Sequence, residues 1–116
     1  MDSILGSVKE SLEGLTEDVT DFDNVILDHI NMAFAMLLQF GIGPKNGFFV
    51  SDKTTTWSSF AVEERIAPFA KMYVFKKVKL EFDPPTSGPA IEALKTALSE
   101  LEWRLTNAKL INAETQ

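Results

Sequence analysis

Apolar residues recur along most of this chain at helical spacing. Ser3 is a plausible N-cap, and Ile4 or Leu5, then Val8, Leu12 and Leu15, space one apolar face of a first helix that Gly14 would stop. An acidic connector follows, from Thr16 to Asp23. There Thr20 and Asp23 have capping-box spacing, and Asp21 is an equally good cap. A second helix is predicted from about Phe22 to Phe40. Phe22, Ile26, Ile30, Ala33, Leu37 and Phe40 form one stripe, Leu27, Phe34 and Leu38 a second, and Val25, Met32 and Met36 flank the first on its other side. A helix so apolar round its circumference is central to a bundle or covered by a partner.

Gly41-Ile42-Gly43-Pro44-Lys45-Asn46-Gly47 ends that helix and opens a loop that runs to Thr56. Within it Asn46-Gly47 signals a turn, and Phe48-Phe49-Val50 suits a short strand. Its composition predicts mobility in an isolated subunit. Thr55 or Thr56 would cap a short turn through Trp57 and Phe60.

The third helix is predicted over roughly Glu63 to Phe82, with Pro68 in its first turn or kinking it. Ile66, Phe69, Ala70, Tyr73 and Leu80 share its expected inner face. Lys77 to Phe82 alternates like a strand, but the preceding period is helical and no pairing strand is evident. Asp83-Pro84-Pro85-Thr86 stops this helix.

The last helix opens at Ser87 or Gly88, with Pro89 in its first turn. Ile91, Leu94, Leu98, Leu101, Leu105 and Ala108 make a heptad seam, and Asn112 to Gln116 read as a frayed tail. At ~100° per residue from Ile91, the later seam residues fall between about 260° and 340°, whereas Trp103 falls near 120° and Leu110 near 100°. If the seam faces the subunit's own bundle, Trp103 and Leu110 face solvent or a partner. The alternative is that the loop at 41–56 folds over Trp103. The expected fold class is therefore all-α: a small bundle of about four helices with a long C-terminal helix and a long central loop, in one domain over residues 1–116.

Charge sharpens this picture. The net charge is −6, but residues 1–30 carry eight acids against Lys9 alone, whereas residues 65–79 carry Arg65, Lys71, Lys76, Lys77 and Lys79 and no acid. A chain polarised in this way can stack acidic surface on the basic surface of another copy. The acidic total opposes stable binding to nucleic acid. No cysteine is present, which excludes disulfides and thiolate metal sites. Met1-Asp2-Ser3 begins no signal-like segment, and the longest strongly apolar run, Met32 to Leu38, is too short to cross a bilayer, so no membrane association is expected.

Candidate chemistry is sparse. Gly41-x-Gly43 follows a helix and lacks the later residues of a phosphate loop. His29 is the only histidine, with Asp23 and Asp28 near it in sequence, a poor basis for a metal site. No serine has a nucleophile-elbow setting. Neither an enzyme activity nor a cofactor is expected. The residues singled out are candidate partner-interface positions: Trp103, Leu110, Phe48, Phe49 and Trp57.

One set of motifs runs along most of the chain. Phe22-Asp23-Asn24 opens the apolar helix containing His29-Ile30-Asn31, and the loop Gly41 to Phe48 precedes Thr56-Trp57-Ser58. The Tyr73-Val74 helix runs into Phe82-Asp83-Pro84-Pro85-Thr86-Ser87, and Leu101-Glu102-Trp103-Arg104-Leu105 closes the series. In this order and spacing the chain resembles the head–tail connector (adaptor or head-completion) proteins of long-tailed double-stranded DNA bacteriophages and prophages. Pro68, early in the third helix, departs from the pattern. The resemblance implies a structural virion protein, made in the bacterial host cytoplasm and placed at the head–tail junction. It would form a homo-oligomeric ring of about twelve copies beneath the portal protein. A downstream head-completion or tail protein would attach to it, and genomic DNA would pass through without specific binding. The resemblance carries no catalytic residues. The other class open to the residues is a small helical regulator that binds a host protein through exposed apolar helix positions.

Overall fold

The computed structural model describes residues 2–12, 15, 16 and 18–115, with side chains up to Asn107. The expected roles of Gly14, Ala108 and Leu110 lie outside what is described. Among the described residues four α-helices follow in order: α1 (Ile4–Ser11), α2 (Asp23–Gln39), α3 (Ala67–Phe82) and α4 (Gly88–Thr115), with one 3₁₀ turn at Trp57–Ser59. The fold is an all-α small helical bundle, as the periodicity predicts. α2 and α4 both pack on α3 and share no substantial contact, while α1 crosses α2 and α3.

The ends of the helices follow local chemistry. Ser3 caps α1, its hydroxyl accepting from the Gly6 N–H at 3.1 Å. The N-cap of α2 is Phe22, with no side-chain cap bond, so neither Thr20 nor Asp21 serves as expected. Asp23 instead pairs with Lys9 at 2.9 Å, and the Lys9 ammonium also donates to the Val19 carbonyl at 2.7 Å. Lys9 is buried, so these contacts hold the acidic connector against α1. At the other end of α2, the Ile42 N–H donates to the Leu37 carbonyl at 2.8 Å and the Gly41 N–H to the Leu38 carbonyl at 2.9 Å. With Gly41 at φ 84°, this is a Schellman ending. Gly43 at φ 109° lets the chain pass Phe60, where a Cβ would meet the ring at 3.0 Å.

α3 begins at Ala67 rather than Glu63, and Pro68 sits in its first turn, where its missing N–H costs nothing. The alternating segment ending at Phe82 is helical. Ser87 caps α4, accepting from the Ala90 N–H at 3.2 Å. α4 continues as helix to Thr115, past the expected fray at Asn112.

The core joins Ile4 and Val8 of α1, Ile26, Ile30, Ala33, Phe34 and Leu37 of α2, Ala70, Tyr73, Val74 and Val78 of α3, and Leu98, Leu101 and Leu105 of α4. α3 buries these positions because it is covered on two sides. Phe69, expected on the inner face, is left exposed at the edge of the α3–α4 contact. The Tyr73 ring is fully buried, and its hydroxyl donates to Glu102 at 3.2 Å. Burial first, and then the Glu102 carboxylate, push the phenol pKa well above its ordinary value. An unfolded tyrosine ionises near pH ~10, so stability from this site is complete below that pH and is lost as pH rises beyond it.

The central loop is tied down at several points. The Asn31 side chain grips Val50 like a strand partner, donating to its carbonyl at 3.0 Å and accepting from its N–H at 2.8 Å. The Ile4 N–H donates to the Thr55 carbonyl, and the Trp57 N–H to the Asp2 carbonyl. Ser3 and Thr56 form an isolated antiparallel bridge, but Phe48 to Val50 form no strand. The loop is thus anchored within its own subunit, against the expectation of mobility. Its composition hid this because the anchors come from distant Asn31 and α1. Asn31→Ala leaves the buried Val50 amide groups unpaired, an expected loss of about 1–3 kcal/mol with faster hydrogen exchange at Val50.

Candidate functional site: exposed aromatic and apolar surfaces

The five candidate interface residues fall into different environments. Trp57 and Phe48 belong to an aromatic cluster built round Phe34. The Phe34 ring lies 5.0 Å from Phe48, 5.9 Å from Trp57 and 4.8 Å from Phe60, centroid to centroid. The Trp57 indole N–H donates to the Ser7 hydroxyl at 2.7 Å, and its ring meets Phe75 edge-on. The Lys71 ammonium lies 5.4 Å from the Trp57 ring centroid. Both residues are half-buried in the subunit's own packing. Phe49, between the anchored Val50 and the packed Phe48, points outward and is 72% exposed.

Trp103 is 66% exposed. The loop does not cover it, since the loop packs on α1 and α2. Leu98, Leu101 and Leu105 of the same helix are buried against α3, so Trp103 lies off the buried seam, as the helical projection predicts. It lines a groove of about 280 Å³ with Arg65, Ile66, Phe69, Arg104, Leu105 and Asn107. A second hollow, of about 190 Å³, shares Phe69 and Arg104 and adds Met72, Lys76, Ala97, Glu100 and Leu101. Together they form a continuous trough between α3 and α4.

Sequence periodicity missed three exposed apolar residues. The helical period puts Phe69 on the inner face of α3 and Phe22 on an inner stripe of α2 and gives Met72 no distinct role, yet Phe69 and Met72 are exposed and Phe22 is the N-cap of α2 at the surface, its ring edge on Phe82. One signal was available for Met72. Arg65, Phe69, Met72 and Lys76 follow one another at spacings of 4, 3 and 4, a surface stripe with a cation at each end.

The basic segment is less free than its composition implies. Lys77 pairs with Glu81 at 3.8 Å, Lys79 with Asp83 at 2.9 Å and Arg65 with Glu63 at 3.2 Å. His29 is half-buried, with its ring edge on Phe82 and Nδ1 3.5 Å from Glu81. Among the described residues, no three His, Cys, Asp or Glu side chains converge as a metal site would require. His29→Ala is expected to lower stability by at most about 1 kcal/mol. A metal-dependent activity abolished by that change would contradict this assignment. Among the described residues, no helix is long and apolar enough to cross a membrane.

The described residues offer exposed apolar surfaces for association. No curated protein and no solved structure matches the chain. A family model described as phage connector protein matches residues 4–110, nearly the whole length. The match spans the motifs from Phe22-Asp23-Asn24 to Leu101–Leu105, and the chain belongs to the phage connector proteins, a structural family of the phage head–tail connection.

Proposed function

We propose that the whole chain acts as one connector domain that assembles into a ring of about twelve copies beneath the portal. The ring joins the DNA-filled head to the tail and lines the DNA passage. One face would seat on the portal protein, and the other would receive a downstream head-completion or tail protein. The observation that carries this reading is the family match over residues 4–110, together with a long terminal helix that keeps Trp103 outside the subunit's own core. A net charge of −6 also suits a ring through which DNA must slide without being gripped.

Ring subunits with a small contact area are expected to associate weakly when free and to gather on a template that raises their local concentration. Particles lacking this protein should package DNA but fail to retain it or to attach tails. Failure of such mutants at capsid shell formation would refute the connector role. A stable one-to-one complex with a host enzyme, without incorporation into particles, would favour a regulator instead.

A further inference from the structure

Two surfaces of the subunit carry exposed apolar side chains and are complementary. The first is the trough between α3 and α4. Phe69, Met72 and Trp103 supply exposed apolar surface there, with Arg65, Arg104 and Lys76 along it. Arg65 and Arg104 are held only by exposed neighbours, Glu63 and Glu100, and Lys76 makes no ion pair among the described residues.

The second surface is the outer stripe of α2. Val25, Asp28, Met32, Ala35 and Gln39 are exposed at spacings of 3, 4, 3 and 4. Phe22, at the N-cap before them, is partly taken up by an edge-on contact with Phe82 at 5.9 Å. Met32 is 58% exposed, and Phe22 and Val25 are each 47% exposed. The α1 and α3 contacts of α2 use its other side, through Ile26, Ile30, Ala33 and Leu37. No lysine or arginine occurs anywhere from Glu10 to Pro44. Asp21 and Asp28, beside the exposed apolar residues, make no ion pair among the described residues.

We propose that the α3–α4 trough of one subunit receives the α2 outer stripe of a second copy of this chain. The two faces match in shape, in apolar content and in charge. A helix presents a narrow apolar ridge, and the trough between two helices accepts one. From Val25 to Met32 the ridge on α2 is about 10 Å long, and from Phe69 to Lys76 the α3 wall of the trough is also about 10 Å long, at ~1.5 Å per residue. Acids without cations on α2 meet cations on α3 and α4, which fixes the partner and speeds encounter. Asp28 and Lys76, which make no ion pair among the described residues, gain partners in such a contact.

The two surfaces lie on different elements, so the contact is heterologous and each subunit keeps one of each face free for the next. A heterologous contact closes into a ring when its rotation allows. The pairing does not depend on the connector reading, which supplies only the closure and the template.

Single-thiol cross-linking tests the assignment, because the natural chain has no cysteine. Met32→Cys and Met72→Cys are both surface changes. At millimolar protein with a short bismaleimide, a mixture of the two variants should give cross-linked dimer. Either variant alone should give little, and a chain carrying both should give a ladder of oligomers. Adding Asp28→Lys to the Met32→Cys chain should lower the dimer yield by roughly threefold or more. The inference is overturned if either variant alone cross-links as strongly as the mixture, or if the mixture gives no product at that concentration. If it is overturned while particles lacking the protein still hold DNA poorly and lack tails, the surface assignment fails and the connector function stands.

Discussion

Replacing Phe34 with alanine is expected to be among the most damaging single changes in this chain, costing about 3–5 kcal/mol of folding stability. The ring is 2% exposed and sits where α2 meets the central loop and the 3₁₀ turn. It touches Phe48, Trp57 and Phe60, so truncation removes its own burial and the ring contacts of three neighbours. None of them can move in to fill the space cheaply. Phe48 is two residues from Val50, which Asn31 holds, and Trp57 is held by its bond to Ser7. Against a typical total of 5–15 kcal/mol, a loss of this size leaves a marginal fold. A fall in melting temperature of roughly 12–20 °C should accompany it. Urea titration of the variant measures the loss. A value below about 1 kcal/mol, the cost of an ordinary surface change, would mean that the aromatic cluster is not packed as described.

The second large effect should fall on assembly and leave folding nearly intact. Trp103→Ala removes an exposed indole that lines the α3–α4 trough. Within the isolated subunit the change is expected to alter stability by no more than about 0.5 kcal/mol. In the assembled ring, an aromatic side chain buried against a neighbour would be an anchor. Its truncation typically costs about 2 kcal/mol or more, roughly 30-fold in affinity. Sedimentation of the variant at high concentration and its incorporation into particles measure assembly, while a thermal melt measures the subunit. A large drop in melting temperature with assembly intact would place Trp103 in the subunit's own packing.

Much of the fold was legible in the residues because helical periodicity and proline or glycine stops are local signals. Ser3, the Gly41 ending of α2, Pro68 in the first turn of α3 and the Pro84-Pro85 break all act within one helical turn of their position. The seam of α4 was readable for the same reason, and with it the outward position of Trp103. The errors occur where distant contacts decide. Phe69 shares the helical phase of buried residues, yet α3 is covered by α2 and α4 along faces that leave it at their edge. The central loop has a mobile composition but is fastened by Asn31, 19 residues before Val50, and by backbone bonds to the start of α1. Phe48 and Trp57 look like free aromatic anchors until the cluster round Phe34 is assembled in space. The exposed ridge of α2 was half legible. An apolar helix with Val25 and Met32 flanking its inner stripe signalled either a central position or an absent partner, and the arrangement of α1 and α3 on one side favours the partner.

The central claim, that this chain forms a connector ring at the portal vertex, is tested most directly by cryo-electron microscopy of the isolated head–tail junction from particles that carry it. The expected map shows a ring of about twelve copies directly beneath the portal, with α4 resolved as a long rod and DNA density along the axis. A junction in which the portal meets the tail with no density for this chain, or a chain found elsewhere on the particle, would contradict it.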